Sequence, residues 1–266
     1  MLLREVEYAR PGTVEEAVAL LSEHDGARAL AGGQTLVNVM KARAASPDVL
    51  VDLGDLDELR AIGFSGDGML ELGAMVTYAQ LVRSSEVEVA RPILAEVAAT
   101  IGDVQVRNRG TIGGNVCSND PTNHLPPLLV AVGARMTIAA ASGEREVPAD
   151  EFFLGVYLTA VGPGELLTRI EIPAGKGDGF ASVTLGADGT CIANAAASVD
   201  GEVRVALGCV DAVPVVVTTG DVDLVAEAVR AAALEPPADV HASSEYRRHL
   251  AEVLAVRAAL RAAERA

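Results

Sequence analysis

Apolar and polar residues alternate over the first fifty positions in a pattern that predicts a strand, helix and strand unit. A capping box at residues 13–16 precedes an apolar face, so a helix is predicted over 14–23. Short apolar runs at 27–30 and 49–53 are typical of buried strands, and a helix is predicted over 36–43 between them. These elements indicate a small βαβ-like unit at the start of the chain.

The middle of the chain mixes strand and helix patterns, which favours an α+β fold. Strands are predicted at 60–64, 69–72, 136–140, 146–148 and 166–172. The first two form a hairpin around a Ser65-Gly66-Asp67-Gly68 turn. Helices are predicted at 78–82, capped by Thr77, and at 92–101 and 126–132.

A stretch rich in Gly and Pro at residues 173–179 predicts a linker, and the pattern beyond it changes to strand alternation. Strands are predicted at 181–185, 192–199 and 203–210, with turns at Asp188-Gly189 and Asp200-Gly201. They indicate a three-stranded antiparallel sheet, followed by a helix over 223–233 and a last amphipathic helix. The apolar side of that last helix carries Tyr246, Leu250, Val253, Leu254, Val256 and Leu260. We expect domains at 1–53, 54–174 and 179–266.

Two glycine pairs are the strongest indication of function. They lie in Ala31-Gly32-Gly33-Gln34-Thr35-Leu36 and in Thr111-Ile112-Gly113-Gly114-Asn115, after segments at 27–30 and 105–109 that have strand character. Glycine lets backbone N–H groups approach a ligand, and consecutive N–H groups form a concave nest that binds anions. One Gly-Gly pair alone is typical of a tight turn. Two pairs could hold a pyrophosphate from both sides, and together they favour a dinucleotide cofactor.

Composition and charge exclude several classes of protein. The 266-residue chain carries a formal net charge of −16, which disfavours nucleic acid and anionic membranes as partners. Four Phe, four Tyr and no Trp leave few aromatic rings for stacking on nucleic-acid bases. No apolar run approaches the roughly 20 residues that span a bilayer. We therefore expect a cytoplasmic protein with no transmembrane segment.

The residues of a self-contained catalytic or metal site are missing from the sequence. Three scattered cysteines, Cys117, Cys191 and Cys209, cannot supply the roughly four thiolates of an iron–sulfur cluster, and their odd number disfavours a disulfide framework. The four histidines show no HExxH spacing, and there is no GxSxG motif. Cys117 follows the second glycine motif, where it could approach a flavin or be a buried inert thiol. We therefore predict no catalytic residue and no metal ligand in this chain.

Both glycine motifs resemble those of one family. Residues 31–36 match a motif AGGQ[ST]L, and 105–115 match QVRNRGTIGGN, of the FAD-binding medium subunit of molybdenum hydroxylases, the xanthine dehydrogenase and aerobic carbon monoxide dehydrogenase family. The similarity continues through 151–155, 163–167 and 244–250. It implies a two-subdomain FAD-binding fold of the PCMH/VAO type, followed by the three-stranded antiparallel sheet with helices.

The resemblance also implies a cofactor site, a reaction and partners. FAD would be bound by Ala31, Gly32, Gly33, Gln34, Thr35, Leu36, Val37, Asn38, Ile101, Gly102, Thr111, Ile112, Gly113, Gly114, Asn115, Asp120 and His124. A large subunit would hold molybdopterin and a small subunit two [2Fe–2S] clusters, in a dimer of heterotrimers. Electrons would pass from those clusters to FAD and then to a quinone, NAD or oxygen. Arg107 and Arg109 could bind phosphate, anchor the loop or face a partner subunit.

Three departures from the family pattern leave two other functions open. His124 stands where the family has an Asp that binds the adenosine end, and Val104 replaces a Pro. Residues 180–190 contain no basic residue, and they have no aromatic residue at the position that faces the flavin in the family. The alternatives are a stand-alone flavin oxidoreductase and a degenerate, flavin-free scaffold subunit.

Overall fold

The N-terminal unit is a three-stranded parallel sheet flanked by two helices. In the computed structural model, which describes residues 3–186 and 189–266, the strand order is β1-β3-β2. These elements are β1 (Glu7–Ala9), α1 (Val14–Glu23), β2 (Ala27–Leu30), α2 (Leu36–Lys41) and β3 (Val49–Asp52). Strand β3 is central because its apolar run Val49, Leu50 and Val51 is fully buried. Helix α1 starts as predicted, where the Thr13 hydroxyl accepts a hydrogen bond from the Glu16 N–H at 3.2 Å.

The middle unit is a five-stranded antiparallel sheet of order β4-β5-β10-β6-β7, covered by short helices. Its sheet strands are β4 (Ile62–Phe64), β5 (Leu70–Gly73), β6 (Arg135–Ala140), β7 (Gly143–Pro148) and β10 (Leu166–Ile172), and β8 (Phe153–Gly155) pairs with β9 (Leu158–Thr159) in a separate hairpin. Its helices are α3 (Tyr78–Arg83), α4 (Ser85–Ala90), α5 (Ile93–Ala99), α6 (Val104–Arg109), α7 (Ile112–Ser118), α8 (Leu125–Ala131) and α9 (Ala149–Phe152). A short 3-10 helix, Asp57–Arg60, precedes β4.

The segment before the second glycine pair is a helix, so its predicted strand character is wrong. The Asp103 carboxylate caps α6 by accepting a hydrogen bond from the Val106 N–H at 2.8 Å. Val104 and Val106 alternate with polar residues, a pattern that is also typical of a half-buried strand. The N-terminal cap overrides this weak pattern, because capping satisfies an N–H group that would otherwise lack a partner.

The C-terminal sheet has four antiparallel strands, not the three predicted. They are β11 (Asp178–Leu185), β12 (Thr190–Asp200), β13 (Glu202–Gly208) and β14 (Val215–Thr219), in that order. Strand β14 was missed although its Val-Val-Val-Thr-Thr sequence has high strand propensity; Val215 pairs with Leu207. A 3-10 turn (Val222–Leu224), α10 (Val225–Ala231) and α11 (Ser244–Ala263) complete the unit. The predicted turn at Asp188-Gly189 lies partly outside the described residues.

The buried face of α11 consists largely of alanine rather than of the large apolar residues predicted. Leu250 and Leu254 are buried as expected, but Tyr246 and Leu260 are about half exposed. The remaining buried positions are Arg247, Ala251, Ala255, Ala258, Ala259 and Ala262. Small side chains let the helix backbone approach the sheet so closely that a Cβ on Gly179 would lie 2.0 Å from the Ala258 carbonyl oxygen. A hydrophobic pattern underestimates alanine, so the predicted apolar side coincides with the buried side only at Leu250 and Leu254.

A buried arginine fixes the segment predicted to be a linker. Arg91 Nη1 donates to the Pro173 carbonyl at 2.8 Å, and Nη2 donates to Asp178 Oδ1 at 2.6 Å and to Ser198 Oγ at 2.7 Å. The Arg91 and Asp178 side chains are only 6% and 1% exposed. The middle unit is therefore joined to β11 and β12 by a buried ion pair.

Candidate functional site

The first glycine turn presents a row of unpaired backbone donors. The N–H groups of Gly32, Gly33, Gln34 and Thr35 make no hydrogen bond to any residue within 3–186 or 189–266. Gly33 has φ of +71°, a left-handed conformation that L side chains rarely adopt. Successive N–H groups around such a residue form an anion-binding nest. The prediction of donor groups at this turn is therefore supported by its geometry.

The second glycine pair has a different role, because its N–H groups are already bonded within the protein. Ile112 N–H donates to the Val76 carbonyl at 2.9 Å, and Gly113 N–H donates to the Ala74 carbonyl at 2.9 Å. Gly114 N–H donates to the Thr111 hydroxyl at 3.0 Å. The second turn is therefore not a nest of free N–H groups, and a pyrophosphate held from both sides stays a prediction. One turn supplies donors and the other forms a fixed wall beside it.

The two turns are in direct backbone contact. A Cβ on Gly32 would lie 2.1 Å from the Arg109 carbonyl oxygen, so only glycine fits there. A Cβ on Gly113 would lie 2.6 Å from Ala74. A Cβ on Gly114 would be 3.5 Å from the Ala31 Cβ. Gly32 and Gly113 thus allow close packing, whereas Gly33 gives the nest its shape.

Arg107 anchors the loop that precedes α6. Its Nη1 donates to the Gly102 carbonyl at 2.7 Å and to the Ile101 carbonyl at 3.3 Å, so one side chain fixes both predicted cleft residues. Gly102 itself has φ of +53°. Arg109 is exposed, and its guanidinium has no hydrogen bond or ion pair to the part of the chain that the structure describes. Arg107 therefore anchors the loop, which is one of the three roles left open. The exposed Arg109 does not anchor it and remains available for phosphate or a partner subunit.

The predicted adenosine-end residues lie farther along the chain, after α7. Asp120 Oδ1 accepts hydrogen bonds from the Thr122 N–H at 2.9 Å and from its hydroxyl at 2.8 Å. Asp120 Oδ2 accepts from the Tyr157 hydroxyl at 3.1 Å. The carboxylate therefore shapes its own loop. The burial and position of Tyr157 next to this carboxylate raise the pKa of the tyrosine.

His124 is an interior residue, only 7% exposed. Its Nδ1 lies 3.4 Å from the Thr100 hydroxyl, and its ring lies 5.2 Å from the Phe180 ring, centre to centre. Its Nε2 is buried with no hydrogen-bond partner among the described residues. Phe180, on β11, was not predicted to contact this position. The hydrophobic pattern of the sequence could not indicate the contact between Phe180 and His124, because these residues are far apart in sequence.

Two further buried polar residues support the wall of the site. Asn115 Oδ1 is buried and unpaired within the described chain, and the Asn115 carbonyl accepts from Asn123 Nδ2 at 3.1 Å. Tyr78 packs beside Asn115, and burial raises the pKa of Tyr78 to about 12, so the phenol is neutral at physiological pH. An unpaired buried acceptor is costly unless a ligand satisfies it. Asn115 Oδ1 is therefore a candidate ligand contact, as the sequence predicted.

Asn119 connects the loop after α7 to the β8–β9 hairpin and was missed by the sequence analysis. Its Nδ2 donates to the Gly155 carbonyl at 2.7 Å and to the Leu158 carbonyl at 3.2 Å. Its φ of +39° is left-handed, which Asn tolerates better than most residues. An Asn next to Asp-Pro is a recognisable helix-end signal that could have identified it.

The structure brings the two predicted glycine turns together, with several of the other predicted site residues in the segments that adjoin them. Residues 31–35 contact 109–115, Arg107 connects these to Ile101 and Gly102, and Val37 and Asn38 follow on α2. Asp120 and His124 lie beyond Asn115, in the loop held by Asn123. Cys117 lies near them, but burial raises the pKa of its thiol to about 12, consistent with the inert alternative. A nest of free N–H groups beside a second, closely packed glycine turn makes this region a candidate dinucleotide-binding site.

Comparison with known proteins identifies the family. The chain belongs to the family described as FAD binding domain in molybdopterin dehydrogenase, which matches residues 4–175. The carbon monoxide dehydrogenase medium chain of Hydrogenophaga pseudoflava is 44% identical over 177 residues, covering 66% of this chain and 61% of that protein. The glyceraldehyde dehydrogenase medium chain of Sulfolobus acidocaldarius is 33% identical, covering 96% of this chain and 97% of that protein.

The likeness to a solved structure extends over the whole chain. Reconstituted CO dehydrogenase from Oligotropha carboxidovorans contains a chain with a TM-score of 0.93 and 34% identity, covering 100% of both chains. The protein is therefore a medium subunit of the molybdenum hydroxylase family, a subunit of an oxidoreductase, with FAD as its cofactor. The α+β FAD-binding fold with a C-terminal antiparallel sheet is confirmed.

The residues that the structure describes contain neither a metal-binding cluster nor a membrane-spanning helix. Within them, no group of three or more His, Cys, Asp and Glu side chains is placed to hold a metal ion. No helix in the same ranges is both long enough and apolar enough to cross a bilayer.

Proposed function

We propose that this chain is the electron-transfer subunit of a heteromeric molybdenum hydroxylase. It takes electrons from the [2Fe–2S] clusters of a small partner subunit, while a large partner subunit holds molybdopterin and the substrate. It passes them to a quinone, NAD or oxygen, within a dimer of heterotrimers. The observation that carries the proposal is the nest at residues 32–35, a row of four backbone N–H groups that have no partner in the described chain.

The residues of this chain fit the phosphate-bearing part of FAD. The N–H groups of Gly32, Gly33, Gln34 and Thr35 would donate to the pyrophosphate, and the wall around Gly114 would limit its position. Asn115 Oδ1 and His124 Nε2 are buried acceptors or donors that lack a partner among the described residues, and a ligand could satisfy them. Bound FAD supplies the chemistry, since it accepts two electrons and returns them singly or as hydride. The protein binds the cofactor and controls access to it.

The same features weigh against the two alternatives. A flavin-free scaffold has no use for a left-handed glycine that arranges a row of unpaired donors at a half-buried turn. A stand-alone oxidoreductase needs a general acid or base beside the flavin. Asp120 is instead bonded within its own loop. We therefore favour the subunit role.

The main test is whether turnover requires the partners. We expect the purified chain, reconstituted with FAD, to show flavin absorbance but no oxidation of any small substrate. Co-expression with large and small subunits should add iron–sulfur absorbance and produce turnover. The measurements are visible spectra and steady-state rates for the chain and for the complex, at matched flavin concentration.

Each outcome of this test decides between the functions. Turnover by the isolated flavinated chain would overturn the proposal in favour of a stand-alone oxidoreductase. A complex that is active but has no flavin absorbance would instead favour the scaffold. Flavin in both samples with turnover only in the complex supports the subunit role.

We further propose that the surface around α6 is a partner interface. Val104 is 60% exposed although apolar, and Arg109 ends the same helix with its guanidinium exposed. Both lie directly beside the turns that would hold FAD, where an electron donor has to dock. Arginine is favoured at interfaces because it pairs bidentately with carboxylates.

Replacing Arg109 by Ala should weaken association with the partner subunits about tenfold or more, the loss of roughly 1.4 kcal/mol that one interface arginine commonly carries. FAD retention and melting temperature should stay at wild-type values, because the exposed side chain makes no hydrogen bond or ion pair within the described chain. Arg257→Ala is the matched control, since Arg257 is also exposed and helical but lies in α11. Equal association of both variants in gel filtration or titration would remove Arg109 from the interface.

A further inference from the structure

Two of the three cysteines form a pair on the C-terminal sheet, next to Asp120 and His124 at the edge of the candidate FAD site. Cys191 lies on β12, and Cys209 directly follows β13, which pairs with β12. The Asn194 side chain joins them: its Nδ2 lies 3.3 Å from Cys191 Sγ and 3.6 Å from Cys209 Sγ. Both residues are buried and both are free thiols. One amide group within reach of both sulfurs fixes the pair close together.

The pair is accessible from one side. Cys209 is 6% exposed and lines a small surface crevice, together with Asn119, Asp120, Pro121 and Asp211. The Cys209 backbone has φ of +64°, a left-handed conformation that is uncommon outside Gly, Asn and Asp. The chain thus leaves strand geometry at the residue that lines the crevice. The crevice is too small for a protein or a tripeptide disulfide, so hydrogen peroxide would enter beside Cys209 and pass from there to the neighbouring Cys191, which is 1% exposed.

The electrostatics of the pair favour a reactive thiolate. The Cys209 thiol donates a hydrogen bond to Cys191, and this bond, with His124 nearby, holds the pKa of Cys191 below the ordinary thiol range. The same hydrogen bond and burial raise the pKa of Cys209, which keeps its proton. The thiolate is the nucleophilic form of cysteine, and a neighbouring thiol can resolve its oxidised product.

We propose that Cys191 and Cys209 are a peroxide-sensitive pair that closes to a disulfide. The thiolate attacks one oxygen of a hydroperoxide, the O–O bond breaks, and a sulfenic acid forms while hydroxide leaves. That hydroxide takes the proton of the second thiol to become water. The second sulfur then displaces hydroxide from the sulfenic acid, forming the S–S bond. The two sulfurs lose two electrons, and hydrogen peroxide is reduced to one water and one hydroxide, which takes a proton from the solvent to become the second water.

Trypsin cleaves the chain between Cys191 and Cys209, so a disulfide between them can be detected directly as a cross-link between two peptides. Cleavage after Lys176, Arg204 and Arg230 places Cys191 in the peptide 177–204 and Cys209 in the peptide 205–230. A disulfide between them therefore produces one cross-linked pair of peptides. The full chain carrying Cys117→Ser, which leaves only these two thiols, is treated with hydrogen peroxide, alkylated, digested with trypsin and measured by mass spectrometry.

We expect treated Cys117→Ser to lose both alkylatable thiols together and to yield the cross-linked peptides, with full recovery on reduction by dithiothreitol. The wild-type chain should yield the same cross-link and keep Cys117 alkylatable, which provides a readout that needs no variant. Cys117→Ser/Cys209→Ser should form no cross-link within one chain. The proposal would be overturned if both thiols persisted at peroxide levels that oxidise free cysteine. It would also be overturned if each sulfur were oxidised to sulfinic acid without a cross-link.

Discussion

Replacing Gly33 by Val should weaken FAD binding by about a hundredfold or more. Gly33 has φ of +71°, and a β-branched side chain there would come 3.3 Å from Val37 Cγ2 besides straining the backbone. The turn would leave its left-handed conformation and misplace the N–H groups of the nest. Losing two charge-assisted hydrogen bonds, each worth about 1.5–3 kcal/mol, gives a change of this size. The measurement is the dissociation constant of FAD, by fluorescence, with the flavin content after gel filtration.

Gly68→Val is the matched control for this experiment. Gly68 also has positive φ, +86°, and no other atom lies within 4 Å of its Cβ position. It lies in the turn between β4 and β5, so the variant carries a similar backbone strain far from the nest. Thermal unfolding should shift by a similar amount in both variants, while only Gly33→Val loses flavin. Stoichiometric FAD in Gly33→Val would show that the nest does not hold the cofactor.

Replacing Arg91 by Met should destabilise the fold by about 3–5 kcal/mol, the usual cost of removing one partner of a buried ion pair. The Asp178 side chain is 1% exposed and would be left as an uncompensated charge. Ser198 and the Pro173 carbonyl would lose their donor as well. The free energy of unfolding, from urea denaturation, measures the loss.

Two further variants make this result interpretable. Arg10→Met removes an exposed ion pair to Asp55, with both side chains about half exposed, and should leave stability nearly unchanged. Arg91→Met/Asp178→Leu removes both charges from the buried site and should recover part of the loss. A single Arg91→Met variant as stable as wild type would mean that the Arg91–Asp178 pair contributes little to joining the two units.

Local signals in the sequence predicted the parts of the molecule that depend on local physics. The cap at Thr13, the βαβ-like order of the first unit and the glycine at the centre of the nest all follow from residues close together in the chain. The two candidate FAD-binding turns were likewise predicted from their glycine pairs. The role of each glycine was not, because Gly32 and Gly113 are required by contacts with residues far away in sequence.

The errors have a common physical origin. Helix α6 was given strand character because Val104 and Val106 alternate with polar residues, whereas the deciding group is the Asp103 cap. The buried side of α11 was misplaced because alanine is a weak signal in a hydrophobic pattern but packs most closely. The arginine at position 91 gave no signal at all, since its partners at 173, 178 and 198 are brought to it only by tertiary structure.

Contact between Gly32 and the Arg109 carbonyl connects the cofactor nest to the proposed interface through backbone alone. A displacement of Arg109 on binding of partner subunits would be transmitted to the donors at 32–35, because backbone contacts backbone here. Binding of FAD and binding of the partner subunits would then be thermodynamically linked. By reciprocity, the factor by which the partners raise the affinity for FAD equals the factor by which FAD raises the affinity for the partners.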